Sequence, residues 1–322
     1  MTIHKIGSDI EKAATFLKQG KLVAIPTETV YGLAANAFDP IAVASIFEAK
    51  KRPHFDPLIV HTHSLEIVQN VIVKHFPEKA IKLAKAFWPG PLTLVLTKND
   101  KIPDLVTSGK ETVGVRIPNH EMTLKLLKIC GLPLAAPSAN PFGYISPTTA
   151  DHVLEQLGNE VEYILEGGEC SVGIESTILA FEDEKPVIYR LGGLTIEEIE
   201  SVLNEKVKVV TENEENPSAP GMLKSHYAPK KKTILLEKIN SEIANTYPLD
   251  TAFITFNSEL EIDDKCRNKV LSVNGDLKEA SSKLFSILRA LDKSEYQTIV
   301  VENVPNKDLG LAINDRLRRA SF

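Results

Sequence analysis

The stretch LVAIPTETVYGLAANA, residues 22–37, decides the fold class of this chain. Its first four residues predict a short buried strand, and the polar group Thr27, Glu28 and Thr29 follows after Pro26. Ligands in open α/β sheets bind beyond the carboxyl ends of strands, so this loop is a candidate binding segment. Taken alone, a Thr-Glu-Thr turn is more often structural, because threonines commonly cap turns.

Helices are predicted on both sides of this stretch. Asp9 can cap a helix that ends before Gly20, and Asp39 can cap a helix that begins at Pro40 and continues through Lys50. The next segment, PLIVH, has the apolar run of a buried strand. Helices that alternate with buried strands predict an α/β fold.

The same alternation continues to about residue 208. Further segments are strand-like (LTLVLT, TVGVRIP, PLAAPS, YILEGG, ESTILAF and PVIYRLGG) or have helical spacing (EMTLKLLKI, TTADHVLEQLG and TIEEIESVLN). Short strand candidates that follow one another closely, with helices between the others, predict a twisted mixed sheet. Residues 1–208 are therefore expected to form one α/β domain.

The composition changes after residue 208. The segment TENEENPSAPGMLKSHYAPKKK is polar, acidic at its start and basic at its end, and contains three prolines, so residues 209–232 are expected to be a linker. Beyond it TILLE, AFITF and TIVVENV predict buried strands, with a long helix from Asp276 to about Ser294 and a final helix that ends RLRRASF. Residues 233–322 are expected to form a smaller, Rossmann-like parallel α/β domain.

Charge and cysteine content restrict the class of protein. The net charge of −6 and the pI of about 5.8 argue against broad, non-specific nucleic-acid binding. Cys130, Cys170 and Cys266 are far apart and show neither a CxxC nor a zinc-ligand spacing, which fits a reduced compartment. The N-terminal residues lack the apolar core of a signal peptide, and no apolar run is long enough to span a bilayer. A cytoplasmic location is expected.

Three cations in a row, Lys50, Lys51 and Arg52, precede a short apolar run in AKKRPHFDPLIVH, residues 49–61. One interpretation is a solvated helix end, since cations favour a helix C-terminus and Pro53 stops the helix. The other is a phosphate-binding cluster, because arginine forms bidentate contacts with phosphate and lysine supplies a compact charge. Lys51 is expected to be solvated.

Two more loops offer polar groups after predicted strands. PSAN, residues 137–140, supplies a hydroxyl and an amide. EGGECSVGIEST, residues 166–177, places Gly167, Gly168 and Gly173 where backbone N–H groups could cradle phosphate oxygens. The chain contains neither GxxxxGK[ST] nor GxGxxG, which removes the two commonest nucleotide motifs.

Taken together, these segments resemble one family. PTETVYGL, the KxRP element at residues 50–53 with PLIVH after it, WPGPLTLVL, VGVRIP, PSAN and ESTI occur here in the order found in the YrdC-type threonylcarbamoyl-AMP synthases. This resemblance covers the chain to about residue 208. The linker motif APGMLKSHYAP and the C-terminal α/β segment resemble the longer, two-domain branch of that family, so nearly the whole chain is covered.

The resemblance implies a reaction and its partners. L-threonine, bicarbonate and ATP would give threonylcarbamoyl-adenylate and pyrophosphate, a nucleotidyltransferase reaction. Downstream transfer proteins would use the product to modify the adenosine next to the anticodon of certain tRNAs. Mg²⁺ is expected as the ATP complex, without a tightly bound protein metal site. Direct tRNA binding is expected to be weak at most, and neither a covalent catalytic residue nor membrane contact is expected.

The family pattern also implies the residues of each subsite. Arg116 would bind the threonine carboxylate, while His61, which alone would more often be a surface histidine at a strand end, matches the family in its position after PLIV. The threonine site would comprise Thr29, His61, Arg116, Ala136 and Ser176. The nucleotide site would comprise Lys50, Arg52, Asp56, Thr112, Ser138, Asn140, Ser146, Arg190 and Tyr227.

Two departures from the family pattern affect this assignment. Asp56 stands where the family commonly has Asn, and it would bring a negative charge toward the phosphates unless it faces magnesium or a neighbouring cation. The linker carries fewer basic residues before HYAP, so His226 and Tyr227 transfer better than Lys224 and Ser225. Tyr227 would cover the nucleotide as the linker closes over the site; alternatively, it packs between the domains and the linker is a plain connector.

Two other functions use comparable features. A binding module for tRNA or double-stranded RNA would use the same basic surface without chemistry, and would show salt-dependent RNA affinity without ATP turnover. A carbamoyl-transferring maturation enzyme shares the YrdC-type fold, but such proteins carry additional acylphosphatase-like and cysteine-rich zinc segments. Three scattered cysteines argue against this second alternative.

Overall fold

A computed structural model of the chain describes residues 5–210, 219–222 and 226–322. Within these residues, the first unit is built on an eleven-stranded mixed sheet with the order β1-β8-β2-β3-β7-β4-β6-β5-β9-β10-β11. Its strands are β1 (Ile6–Gly7), β2 (Val23–Ile25), β3 (Gly32–Asn36), β4 (Ile59–His61), β5 (Leu92–Thr97), β6 (Thr112–Arg116), β7 (Leu134–Ala135), β8 (Tyr163–Leu165), β9 (Thr177–Glu182), β10 (Lys185–Arg190) and β11 (Lys208–Val209). The predicted mixed sheet is confirmed.

The helices of this unit follow the predicted caps. The Asp9 carboxylate accepts the backbone N–H of Lys12, and the Asp39 carboxylate accepts that of Ile41. The helices are α1 (Ile10–Lys18), α2 (Pro40–Lys50), α3 (Leu65–Ile67), which runs into a π-helical turn (Val68–Ile72), α4 (Glu78–Phe87), α5 (Asp104–Thr107), α6 (Glu121–Cys130), α7 (Ala150–Leu157) and α8 (Ile196–Leu203). Both predicted helix starts are correct because the capping signal is local.

The second unit contains a four-stranded sheet, again within the described residues, with the order β12-β15-β13-β14. Its elements are β12 (Lys232–Leu236), α9 (Ser241–Asn245), β13 (Thr251–Thr255), a 3₁₀ turn (Lys265–Arg267), β14 (Asn268–Val270), α10 (Leu277–Lys293), β15 (Thr298–Glu302) and α11 (Leu309–Ala320). Every strand pair in this sheet is parallel, which confirms the predicted parallel α/β architecture.

Several elements are not predicted by the sequence pattern, among them β3 and α4. Residues 32–36 turn back as β3, antiparallel to β2, in place of the loop expected after the first strand. The segment GLAAN carries small side chains that are mostly buried, so it shows no alternation of polar and apolar residues. The amphipathic helix α4 was likewise not recognised.

Polar contacts join the two units. The Ser281 hydroxyl of α10 donates to the backbone oxygen of Val172 at 2.6 Å, and the Arg289 guanidinium donates to those of Ile145 and Ser146. Helix α10 thereby packs against the loops that lead to β9. No helix in the described ranges combines the length and apolar character needed to cross a membrane.

The buried carboxylate of Glu302 organises the end of the second sheet. Its two oxygens accept the backbone N–H groups of Ile239 at 2.8 Å and Phe256 at 2.7 Å, in the loops that follow β12 and β13. We expect Glu302→Ala to lower the free energy of unfolding by about 3 kcal/mol, because two buried N–H donors lose a charged acceptor. Urea unfolding would measure this. The exposed Glu237→Ala is the control, and equal stability of the two variants would contradict the prediction.

Candidate functional site

A cavity of about 570 Å³, its open mouth included, lies against the large sheet. It is lined by all five residues predicted for threonine, each at or near a strand terminus: Thr29, His61, Arg116, Ala136 and Ser176. Four of the residues predicted for the nucleotide also line it: Arg52, Ser138, Arg190 and Tyr227. The structure thus brings residues of both predicted subsites to one cavity.

Lys50 and Asn140 lie behind this wall rather than on it. The Lys50 ammonium donates to the backbone oxygen of Ser138 at 2.6 Å and to that of Asn140. The Asn140 amide donates to the backbone oxygens of Pro141 and Tyr144. Burial and the neighbouring Arg52 charge hold the pKa of Lys50 well below its ordinary value. Lys50 therefore ties the end of α2 to the PSAN loop.

Thr112 and Ser146 also lie outside the lining. Thr112 lines a neighbouring pocket of about 280 Å³, which shares Ile59 and Pro220 with the main cavity. Ser146 is buried, and its hydroxyl donates to Glu175 Oε1 at 2.5 Å. Glu175 itself lines the cavity, so Ser146 is linked to the site through this carboxylate.

Arg52 and Asp56 form a buried ion pair just beyond α2. The distance from Arg52 Nη2 to Asp56 Oδ2 is 2.8 Å, and the guanidinium also donates to the backbone oxygens of Asp56 and Pro57. The interpretation of this cluster as a solvated helix end is wrong for Lys50 and Arg52, which are 1% and 7% exposed, while Lys51 is exposed as expected. Asp56 therefore faces a neighbouring cation.

Arg116 is held by three partners at the end of β6. Its Nη2 lies 2.7 Å from Glu28 Oε2, its Nη1 donates to Thr29 Oγ1 at 2.9 Å, and its Nε donates to the backbone oxygen of Gly90. The Thr27 hydroxyl accepts the backbone N–H groups of Thr29 and Val30. The Thr-Glu-Thr loop is therefore a structural turn that also positions a cavity arginine.

Arg190 occupies another part of the wall. Its Nε and Nη2 donate to the backbone oxygen and the hydroxyl of Ser176, and its Nη1 donates to the backbone oxygen of Pro220 at 3.3 Å. The Ser176 hydroxyl also lies 2.8 Å from that of Thr93. Arg190 thus connects β10, the ESTI segment and the chain just before Gly221.

His61 is buried, with 3% of its surface exposed, so the alternative of a surface histidine is wrong. Burial, followed by the nearby Arg116 charge, lowers its pKa to about 3. At neutral pH the ring is uncharged. One ring nitrogen then donates a hydrogen bond and the other accepts one, and the tautomer decides which.

Part of the predicted linker lines the cavity. Pro220, Gly221, His226 and Tyr227 face it, whereas residues 211–218 and 223–225, which include Lys224 and Ser225, lie outside the described residues. The Tyr227 ring stacks on Phe285 with centroids 5.7 Å apart. Tyr227 therefore packs between the two units and lines the cavity at the same time.

The three glycines of the predicted phosphate cradle do not line this cavity. The N–H of Gly167 donates to the Tyr31 hydroxyl, and that of Gly168 donates to the Glu166 carboxylate. Gly173 has φ +77°, and a Cβ there would lie 2.4 Å from the Cα of Ser282 in α10. The glycines of this loop form turns and allow the two units to approach closely.

Carboxylates near the cavity already have cationic partners. Asp56 pairs with Arg52, and Glu175 pairs with Arg316. In residues 5–210, 219–222 and 226–322, no cluster of three or more His, Cys, Asp and Glu side chains could hold a metal ion.

Two family models together match most of the chain. Residues 15–192 match the model described as "Telomere recombination", and residues 194–321 match that of the "Threonylcarbamoyl-AMP synthase, C-terminal domain". A threonylcarbamoyl-AMP synthase of Pyrococcus abyssi is 43% identical over 97% of this chain and 94% of the relative. The chain belongs to the threonylcarbamoyl-AMP synthase family. The Bacillus subtilis member is 38% identical over 97% of this chain and 92% of its own length.

A solved structure of the threonylcarbamoyl-AMP synthase family supports the same relationship. The crystal structure of P. abyssi Sua5 complexed with L-threonine matches with a TM-score of 0.88 at 42% identity, covering 97% of this chain and 94% of that one. As a member of the family that is matched over 97% of its length, the chain is an adenylate-forming, nucleotidyltransferase-type enzyme that uses ATP and belongs to tRNA modification. The alternatives of an RNA-binding module and a maturation enzyme are therefore set aside.

Three charged residues at this family's site were not assigned from the sequence. Glu28 and Glu175 lie in quoted motifs, but neither motif indicates that the carboxylate pairs with an arginine. Arg316 lies in the final helix, which offered a basic, amphipathic pattern and no local signal of a distant partner. Its partner Glu175 is 141 residues away in the sequence.

The low pKa of His61 makes a prediction about stability. When folded, His61 takes up a proton only near pH 3, whereas the unfolded chain takes it up at the ordinary value of 6.5. Acidification below pH 6.5 therefore favours the unfolded state, and this effect grows until about pH 3. On going from about pH 7.5 to about pH 5, the free energy of unfolding should fall by about 2 kcal/mol less in His61→Gln than in the wild type.

Urea unfolding of the wild type and His61→Gln at both pH values would measure this difference. His75→Gln, which changes an exposed histidine, is the control. If the His61 variant retained the whole pH dependence of the wild type, the assignment of a neutral buried ring would be contradicted.

Proposed function

We propose that this cavity joins L-threonine, bicarbonate and ATP into L-threonylcarbamoyl-AMP and pyrophosphate. The observation that carries this proposal is that Arg116 and the pair Arg52 and Arg190 line a single cavity. A carboxylate-binding arginine and a cationic phosphate-binding wall in one space are what the reaction requires. Membership of the synthase family and the similarity to a threonine-complexed homologue support the same assignment.

The threonine end is assigned to the residues around Arg116. This side chain has five N–H donors, and Glu28, Thr29 and Gly90 each engage one nitrogen, so donors remain on Nη1 and Nη2 for the substrate carboxylate. Ser176 and the neutral His61 would orient the remaining polar groups of threonine. Ala136 adds a small apolar surface beside them.

The polyphosphate end is assigned to Arg52, Arg190 and Ser138. These residues reach the cavity directly, whereas Lys50 would act from behind by adding positive potential and fixing the PSAN loop. A bound triphosphate would oppose the effect of burial on the Lys50 pKa, because an added anion favours the charged ammonium. Asn140, Ser146 and Thr112 would support this end.

The chemistry proceeds in two balanced steps. The threonine amine attacks bicarbonate, forms a C–N bond and releases water, which gives an N-carboxylate. A carboxylate oxygen then attacks the α-phosphorus of ATP, and the bond from this phosphorus to the α,β-bridging oxygen breaks to release the β- and γ-phosphates as pyrophosphate. The protein contributes positioning and stabilisation of negative charge, since neither step needs a covalent protein intermediate.

Mg²⁺ would enter as the ATP complex. The polar side chains of the described cavity wall are mainly hydroxyl groups and arginines, and Asp56 and Glu175 are paired with arginines. This donor set fits a metal held mainly by phosphate oxygens and water, which is the usual way Mg²⁺ binds with nucleotides. When bound, the ion would neutralise charge on the phosphates.

The domain division is also part of this proposal. We assign residues 1–208 to catalysis, 209–232 to a segment that closes over the nucleotide and 233–322 to a supporting α/β domain. The positions of Pro220, Gly221, His226 and Tyr227 on the cavity wall favour closure over a plain connector. Transfer of the product to tRNA-modifying proteins and a cytoplasmic location follow from the proposed reaction.

A direct assay tests the proposed reaction. The protein is incubated with ATP, bicarbonate and labelled threonine, and the labelled adenylate and pyrophosphate are separated and quantified. Equal amounts of both products are expected, and omission of bicarbonate should abolish them. Hydrolysis of ATP to ADP without a threonine-containing product would contradict the proposal.

Substitutions at the two ends of the cavity should affect different substrates. Arg52→Met should weaken ATP binding by about 10- to 100-fold, because one charge-assisted contact is lost. Arg116→Gln should raise the KM for threonine by a similar factor and leave the ATP affinity within about threefold. Calorimetry would measure the ATP affinity of each variant, and assays at varied threonine concentration would measure the KM.

A second variant separates the role of Arg52 in binding from its role in stability. Arg52 is buried, so Arg52→Met leaves Asp56 without its cation, and Arg52→Met with Asp56→Asn removes the unpaired charge. Weak ATP binding should persist in the double variant. If the Arg52 and Arg116 variants each lost affinity for ATP and threonine equally, the assignment of the two substrates to separate ends of the cavity would be contradicted.

A further inference from the structure

Arg316 crosses from the second unit into the first. It lies on α11 and is fully buried, with 0% of its side chain exposed. Its Nε donates to Glu175 Oε2 at 2.9 Å, and its Nη2 donates to the backbone oxygen of Leu191 at 2.8 Å. The third nitrogen, Nη1, donates to Asp315 Oδ2 at 2.8 Å. All three guanidinium nitrogens are therefore engaged, two of them across the contact between the units.

Glu175 connects Arg316 to the cavity. One oxygen of this carboxylate accepts from Arg316, while the other accepts from the Ser146 hydroxyl at 2.5 Å. Glu175 lines the cavity, and Ser146 is one of the residues assigned to its nucleotide end. A chain of hydrogen bonds thus runs from α11 through a carboxylate to a hydroxyl beside the proposed nucleotide site.

Tyr227 provides a second connection from Arg316 to the cavity. The guanidinium carbon of Arg316 lies 4.9 Å from the centre of the Tyr227 ring, a cation–π distance, and the ring also stacks on Phe285. Tyr227 has φ 61°, a left-handed conformation that a non-glycine residue adopts at a cost and that surrounding contacts must maintain. Arg316 supplies one of those contacts.

We propose that Arg316 is a positioning residue through which the second unit prepares the nucleotide end of the cavity. It neutralises Glu175, whose carboxylate would otherwise repel the phosphates of ATP, and it fixes Tyr227 through a direct contact and Ser146 through Glu175. This inference rests on the proposed function. It gives the second unit a specific task, since in an isolated first unit Glu175 would lose the cation that pairs with it directly.

The test is a double-mutant cycle on the full chain. Calorimetry measures binding of α,β-methylene-ATP and, separately, of L-threonine to the wild type and to Arg316→Met, Glu175→Gln and the double variant. Arg316→Met should weaken analogue binding by about tenfold or more and change threonine binding less than about threefold. The double variant should recover most of the lost affinity, because the repelling charge is gone. Arg316→Lys, which keeps the charge, should lie between the wild type and Arg316→Met.

Arg267→Met controls for loss of a buried arginine in the same unit. Arg267 is 3% exposed and donates to the backbone oxygens of Thr251 and Pro248, away from the cavity. This variant should lose stability without a selective loss of analogue affinity. Two results would overturn the inference and leave Arg316 with a structural role only. One is an equal loss of affinity for the analogue and for threonine in Arg316→Met, and the other is no recovery of analogue affinity in the double variant.

The same measurements separate failure of this inference from failure of the proposed function. A wild-type protein that binds neither the analogue nor threonine would overturn both. A wild type that binds both ligands, together with an Arg316→Met variant of unchanged analogue affinity, would overturn the role of Arg316 alone.

Discussion

Backbone carbonyl oxygens hold the cations around the cavity, and the arrangement of the surrounding loops depends on this interaction. A carbonyl satisfies an N–H donor without carrying a full negative charge, so it holds the donor without placing an opposing ionic charge beside it. The acceptors are Ser138 and Asn140 for Lys50, Asp56 and Pro57 for Arg52, Gly90 for Arg116, and Ser176 and Pro220 for Arg190. These cations are therefore held in place by the protein's own backbone, and the wall still favours anions.

Carboxylates lie beside two of these cations, where they orient the guanidinium groups as well as neutralise them. Glu28 pairs with Arg116, Asp56 pairs with Arg52, and Lys50 and Arg190 are held mainly through carbonyl oxygens. Because a buried ion pair gains stability only when its other hydrogen bonds are also made, each pair in this wall is joined to a turn or strand terminus. Folding and binding therefore use the same contacts.

The sequence predicted features that depend on neighbouring residues. Capping by Asp9 and Asp39 and the buried strand at residues 59–61 follow from local patterns, and the predicted mixed and parallel sheets are confirmed. Contacts between segments that are far apart in the sequence could not be predicted from local patterns. The acceptors of Lys50 lie 88 and 90 residues further along the chain, so the motif indicated a cation without indicating that it lies behind the wall. The PTETVYGL motif marked a binding loop, but its last two residues begin β3, which was missed because small buried residues leave no periodic signal.

Burial of the cavity cations also limits the distance over which they attract anions. Outside the cavity, a ligand meets a protein of net charge −6, and at physiological ionic strength fields from individual charges are screened within about 8 Å. A compact polyphosphate that enters the cavity contacts the cations at short range, where water and counterions are largely excluded. A long polyanion that remains at the surface feels mainly the overall negative field. The cavity therefore favours small anions over large ones, because its positive charge is accessible to molecules small enough to enter it.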